Sequence, residues 1–332
     1  MAARTGSFND ITDVPGVKVG QAEDSRVRSG VTVILPDAPA VAAGDVRGGG
    51  PGTRETDLLD PSTLVDRADA IVLSGGSSYG LAAADGVAAW LGSQGRGFRL
   101  APNPSIPPSP IVPAAILYDL ANGGDKNWRA APPYAALGAQ ACERAKRGVR
   151  LGRAGAGFGA RAGAGPGGLG SASYVCEDGL VVGALMAVNS FGSVRMPGTD
   201  VFWAAPFEIG SEFGGAWPMK RPEPAIDLPS DTKLAMPRSN TTIGVVAVSA
   251  DLTQAEARRV AVMAQDGIAR SIRPVHGPTD GDVIFVIATG GLSISGPLDL
   301  TRIGCLAADC VARAVARGVF EAEKQTLAAP PT

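Results

Sequence analysis

The sequence predicts an α/β fold in which sheets are covered by helices, and three observations carry that expectation. Forty-five glycines and 26 prolines cut the 332 residues into short elements, as a strand-rich fold with many tight turns requires. Several short segments are β-branched and bounded by Gly, Asp or Ser: VTVIL (31–35), AIVLS (70–74), LVVGALMAVN (180–189), IGVVAVS (243–249) and VIFVIAT (283–289). Two later segments carry apolar stripes at helical spacing. A striped helix needs a sheet to cover, which argues against an all-β sandwich.

Taken in order, helices are predicted over 77–91, 133–147, 253–270 and 299–319. The third opens with Thr253 and Glu256 at capping-box spacing and repeats Ala257, Val260, Ala261, Ala264 and Ile268 on one face. The fourth repeats Ile303, Leu306, Ala307, Cys310, Val311 and Ala314. Between strand and helix signals, residues 211–239 hold five prolines and no apolar period. A loop of that length in a compact domain is either functional or disordered.

Three glycine-rich stretches remain. LSGGSSYGLAAADG (73–86) reads as strand, turn and helix start, a geometry that suits a bound anion as well as a plain tight turn. GAGFGA (155–160) contains G-x-G-x-x-A, but the charged GVRLGRA before it is no buried Rossmann strand, and dinucleotide binding is excluded there. GGGPGTRETD (48–57) groups Arg54, Glu55 and Asp57 and reads as a solvated helix start.

Composition narrows the function classes. With 45% apolar residues and a net charge of −2 the chain has a substantial core and no basic patch for nucleic acid or an anionic membrane. A small-molecule or peptide-like partner is expected. The first residues lack an apolar signal region and no run of 18 apolar residues exists, so the expected compartment is the cytoplasm. Cys142, Cys176, Cys305 and Cys310 form no C-x-x-C pair and read as buried reduced thiols. The single histidine, His276, rules out a multi-histidine zinc site and reads most simply as a loop or capping residue.

The stretch PRSNTTIGVVAVSADLT (237–253) raises the chemical question. A threonine hydroxyl is a weak nucleophile without a base, and a chain with one histidine must find that base elsewhere. If the backbone is cut between Asn240 and Thr241, the new α-amine of Thr241, with a pKa of about 7.7–8.0, supplies it. The Thr241 hydroxyl can make that cut itself by attacking the Asn240 carbonyl. The plain alternative is an asparagine turn followed by a strand start. N-T-T also matches a glycosylation acceptor, which needs a secretory route.

In HGPTDGDVIFVIATG, Asp280 and Asp282 alternate along an extended segment and can face one site, or cap a strand-entry turn. Asn189 ends an apolar strand, where its amide can donate to an oxyanion or cap the next turn.

Together these stretches resemble the DmpA-type aminopeptidase family of N-terminal-nucleophile hydrolases, and within it the nylon-oligomer hydrolases. The likeness runs in order through ITDVPGVKVG, GGGPGTRETDLLDP, LSGGSSYGLAAADGVAAWL, PIVPAAILYDL, GGLGSAS, ALMAVNSFG, NTTIGVVAVSADLT and TDGDVIFVIATG. It implies an αββα four-layer sandwich, cut autocatalytically into a large subunit (1–240) and a small one (241–332) that together form one structural domain. By the same resemblance Thr241 is the nucleophile, Asn189 the oxyanion-side asparagine, Tyr118 a site tyrosine, and Asp280 with Asp282 the orienting pair. It implies no metal or organic cofactor, and a homo-oligomer, a tetramer of cleaved protomers. The implied activity is hydrolysis of amide bonds in ω-amino-acid oligomers such as 6-aminohexanoate chains, or in small peptides. A DmpA-like aminopeptidase, an acyltransferase of the ornithine acetyltransferase type and a non-catalytic small-molecule binder remain the alternatives. One departure stands out: relatives commonly carry a lysine in the Gly-rich run before GGLGSAS, whereas residues 152–170 hold only Arg153 and Arg161. Arginine cannot replace a lysine that must exchange a proton.

Overall fold

The computed structural model describes residues 3–101, 103–219, 228, 231–233 and 240–328. Among them run the main strands β1 (Val17–Asp24), β2 (Ser29–Pro36), β3 (Ala40–Val46), β4 (Ile71–Ser74), β5 (Ala114–Ile116), β6 (Gly168–Cys176), β7 (Val181–Asn189), β8 (Thr241–Asp251) and β9 (Val283–Ser293). The α-helices are α1 (Ala83–Ser93), α2 (Tyr134–Glu143), α3 (Gln254–Ser271) and α4 (Pro297–Ala328). A seven-stranded sheet places β6, β7, β8, β9 and β3 side by side, with residues 3–4 and 67–68 as its edges; a five-stranded sheet runs β1, β2, β4, β5 and residues 53–54. Neighbours are antiparallel except β8 with β9 and β4 with β5.

Both alternations along the central strands are apolar, which is the pattern of a sheet covered on two faces. On β8, Ile243, Val245 and Ala247 pack with Ile34, Ile71 and Leu73 of the other sheet. Val246, Val248 and Ala250 face the opposite way, against Val260, Ala261 and Val311 of α3 and α4. On the far side Val31, Val33 and Val72 meet Val87 and Leu91 of α1 and Tyr134 and Leu137 of α2. The result is the αββα sandwich that the resemblance implies. The parallel pair β8–β9 needs a crossover, and α3 supplies it; Thr253 and Glu256 close the capping box at its start.

The segments predicted as strands are strands. The helices differ at their ends: a 3-10 turn over Ser77–Ala82 precedes α1, α2 stops at Glu143, and α4 runs on to Ala328. β1, β3 and β6 escape a search for β-branched runs. In β6, GLGSASYVC, small residues are required because α4 lies directly on the strand: a Cβ at Gly170 would stand 1.9 Å from the Ala314 carbonyl oxygen. Cys142, Cys176 and Cys310 are buried free thiols, whereas Cys305, expected to be buried, is exposed on α4. Among the described residues no helix is long and apolar enough to cross a membrane.

Candidate active site

Thr241 is the first residue of β8 and lies directly opposite Asn189, the last residue of β7. Side chains alternate along a strand, and Ile243 and Ala187 both face the other sheet. Thr241 and Asn189 therefore share that face, at the open end of the inter-sheet layer. Both are buried, as are Asn240, Asp280 and Asp282. β8 begins there because Asn240 makes a parallel bridge to Asp280 before the ladder with β9 starts.

The peptide bond between Asn240 and Thr241 is held from two sides. The Asn240 carbonyl oxygen accepts the Gly281 N–H at 3.0 Å, and the Thr241 hydroxyl donates to the same oxygen. A donor aimed at that oxygen stabilises the negative charge that forms if the carbonyl carbon is attacked. Glycine at 281 leaves this hydroxyl room, since a Cβ there would stand 3.0 Å from Thr241 Oγ1 and crowd it.

Asp282 Oδ1 accepts the Thr242 N–H at 2.7 Å. Its Oδ2 meets the His276 N–H at 3.1 Å and the His276 ring Nδ1 at 2.9 Å. The lone histidine is thus a loop residue that steadies Asp282. Asp280 Oδ2 accepts the Gly277 N–H at 2.7 Å. Burial and the neighbouring Asp282 charge push the Asp280 carboxyl up to about 6, against the opposing Gly277 amide and His276. Both aspartates are brought to the cut position, but Asp282 reaches it through the Thr242 amide and Asp280 through its main chain. The glycine run at 48–50 lies flat on this loop: Gly50 N–H donates to Asp280 O at 2.7 Å and Gly48 N–H to Asp282 O at 3.3 Å.

The Asn189 amide is engaged at both ends. Its Nδ2 donates to the Tyr118 carbonyl oxygen at 3.1 Å, and its Oδ1 accepts the Arg161 N–H at 3.0 Å. Tyr118 therefore meets Asn189 with its main chain, while its half-buried side chain lines a narrow cleft with Asn189, Arg161 and Lys233.

Lys233 is the functional group that sequence reasoning missed. It is 7% exposed, and its Nζ donates to Asn189 O at 3.1 Å and Asn189 Oδ1 at 3.2 Å. Burial, with the nearby Arg161 charge, lowers it to about 7, and Asp280 opposes the shift. The Gly-rich run has no lysine, yet an ammonium reaches the site from the proline-rich segment. No periodicity marks it; the one signal is its place eight residues before Thr241.

Two other expectations meet a different outcome. The turn at 75–76 does bind an anion, but one from the chain itself: Gly76 N–H donates to Asp119 Oδ1 at 2.7 Å, and burial raises that carboxyl to about 6. Glu55 is not a solvated helix residue, because its Oε2 accepts the Val112 N–H at 2.9 Å.

The architecture is that of solved enzymes. The chain superposes on a Burkholderia sp. beta-aminopeptidase with a TM-score of 0.69 at 22% identity, covering 96% of this chain and 88% of that one. It superposes on the L-aminopeptidase D-Ala-esterase/amidase of Ochrobactrum anthropi, described as a variant of the Ntn-hydrolase fold, with a TM-score of 0.68 at 23% identity, covering 96% and 87%. The fold is therefore of the Ntn-hydrolase class. Among curated relatives, an uncharacterized aminopeptidase of Mycobacterium tuberculosis is 43% identical over 98% of this chain and 97% of its own. A 6-aminohexanoate-oligomer endohydrolase of Kocuria sp. is 30% identical over 85% and 75%. The family pattern of Peptidase family S58 matches residues 9–329, and the chain belongs to that family. It is a hydrolase of amide bonds.

Proposed function

We propose that the chain is an autocleaving N-terminal-threonine amidohydrolase, cut between Asn240 and Thr241 into subunits 1–240 and 241–332 that stay together in a homo-oligomer. One observation carries this reading: the Thr241 hydroxyl lies on the Asn240 carbonyl oxygen while the Gly281 N–H holds that oxygen from the other side. Attack of Oγ1 on the carbonyl carbon breaks the C–N bond, gives an ester at Thr241 and passes the proton to the departing nitrogen. Water then frees the Asn240 carboxylate. The Thr241 α-amine so exposed takes the hydroxyl proton in each later turnover.

In the mature enzyme Thr241 Oγ1 attacks the substrate carbonyl, forms an acyl-enzyme and releases the amine fragment; water hydrolyses the ester. Asp282 holds the start of β8 through the Thr242 amide, and Asn189, fixed by Arg161 and Lys233, stands beside the nucleophile across the sheet. The substrate class is amide bonds of short peptides, supported by the 43% identical aminopeptidase relative. A second reading, ω-amino-acid oligomers of the 6-aminohexanoate kind, is supported by relatives at about 30% identity and by the Asp280–Asp282 pair.

Intact mass of purified protein tests the cut. Pieces of about 24 and 9 kDa are expected, the 33.5 kDa chain divided 240:92, and Thr241→Ala should stay whole and inactive. An active wild-type enzyme that remains one polypeptide, or a Thr241→Ala chain that still splits at this bond, overturns the proposal.

A further inference from the structure

Beside the narrow cleft lies a wider one of about 310 Å³ whose described lining includes Arg28, Arg153 and Arg161 and no carboxylate side chain. The two clefts share Ala121, Asn122, Gly159 and Arg161, so they are parts of one groove. Three separate segments deliver the arginines, and each is fixed through its backbone or its neighbour. Arg28 sits in the β1–β2 turn at φ +52°, and Asn122 Nδ2 donates to its carbonyl at 2.6 Å. Arg153 N–H donates to Gln325 Oε1 at 2.7 Å. Arg161 N–H is the one held by Asn189 Oδ1. Among the described residues none of the three guanidinium groups has a carboxylate within 4.0 Å.

The groove is therefore polar along its length. The narrow end, where Asn189 stands opposite Thr241, is lined by Asn189, Lys233 and Asp119; the described lining of the wide end holds guanidinium groups and no carboxylate. Lys233 lines the narrow cleft together with Arg161, and both Arg161 and Asp280 act on its charge. Guanidinium groups match the geometry of a carboxylate and repel an ammonium.

We propose that the arginine cleft binds the free carboxylate at the far end of a short substrate, so that the fragment leaving as the amine is an amino acid or short peptide with an unblocked carboxyl terminus. This rests on the amidohydrolase reading and sharpens it. The substrate is a zwitterion of fixed direction, its amino end away from the arginines, and a chain blocked at its carboxyl end is a poor substrate. Charge-assisted hydrogen bonds contribute about 1.5–3 kcal/mol, roughly a 10- to 100-fold preference.

The test compares alanyl-alanine with alanyl-alaninamide on the mature enzyme, together with equilibrium titration of N-acetylalanine and its amide. Wild type should favour the carboxylate about 10- to 100-fold in kcat/KM, mainly through KM, and the preference should shrink as salt screens the cleft. The double variant Arg28→Gln/Arg153→Gln should bring the carboxylate-to-amide ratio close to one. Both side chains lie at the exposed surface, so unchanged melting temperatures are expected. A wild-type ratio near one, or a ratio that survives in the double variant, overturns the proposal. Selective binding of N-acetylalanine by a protein that hydrolyses neither dipeptide would sink the amidohydrolase reading and leave the carboxylate cleft standing.

Discussion

The buried charges around Arg313 and those around Asn189 are built in opposite ways. Around Arg313 every group is answered: the guanidinium is fully buried, donates to Glu212 Oε1 at 2.6 Å, to Glu212 Oε2, Ser173 O and Asn9 Oδ1 at 2.9 Å each, and lies 4.7 Å from the Tyr174 ring centroid. Burial works against both charges, but the pairing wins: Arg313 holds its proton more firmly than usual and Glu212 stays below the ordinary glutamate range. Around Asn189 the balance goes the other way. Burial wins over pairing, and Asp280 and Lys233 are both pushed toward neutrality. In the structural cluster every guanidinium nitrogen has an acceptor, whereas a site keeps groups whose charge state is close to changing.

The largest expected effect breaks the first cluster. Arg313→Met leaves the buried Glu212 carboxylate with the Asn9 amide, the Ile209 N–H and the more distant Arg317, and removal of one partner from a buried pair costs about 3–5 kcal/mol. Urea unfolding should show that loss, and the added change Glu212→Gln should recover much of it. A near-neutral single variant would erase the contrast.

Lys233→Met comes next, and its effect should fall on rate rather than stability. Hydrolysis is expected to drop roughly 10- to 100-fold in kcat, as loss of a group that orients a site side chain does, with no loss of melting temperature at pH 8. The sign of its pH linkage is checkable. Lys233 is lowered to about 7 in the fold from an ordinary value of 10.5, so between those values the unfolded chain carries a proton that the folded one lacks. Stability therefore rises with pH across that window, and Lys233→Met should flatten the rise. Unchanged hydrolysis with an unchanged pH profile would make Lys233 a structural residue.

Asp280→Asn sharpens the contrast further. The carboxyl is raised from 3.8 to about 6, so from about pH 4 to 6 the folded chain retains a proton that the unfolded one has released, and stability falls as pH rises. The variant should melt a few degrees higher than wild type at pH 8, with little difference near pH 4, while hydrolysis decreases. The smallest effect belongs to an exposed pair: Arg258→Ala, opposite Asp60 at 3.0 Å, should leave the urea midpoint and the melting temperature indistinguishable from wild type.

How much of this was legible beforehand depended on the range of the signal. The capping box of Thr253 and Glu256 and the stripes of α3 and α4 are local, and the structure has both. The alternation of Asp280 and Asp282 read as a pair able to face one site, but it could not say that Asp282 would hold the Thr242 amide and the His276 ring, or that Asp280 would meet Asn240 through its main chain. β6 was unreadable because its glycines answer to a helix more than a hundred residues away.

By itself the sequence determined the strands and helices with strong periodicity, the four-layer class through its resemblance, and the residue types gathered at 240–241 and 280–282. Only the tertiary structure decided which charges meet. Lys233 reaches Asn189 from a segment without period, Arg28, Arg153 and Arg161 converge from separate turns, and Asp119 fills a turn that read as open to a ligand. Periodicity reports which face of an element is buried; the pKa of a group and the company it keeps are set by contacts distant in the chain, which leave no local pattern to read.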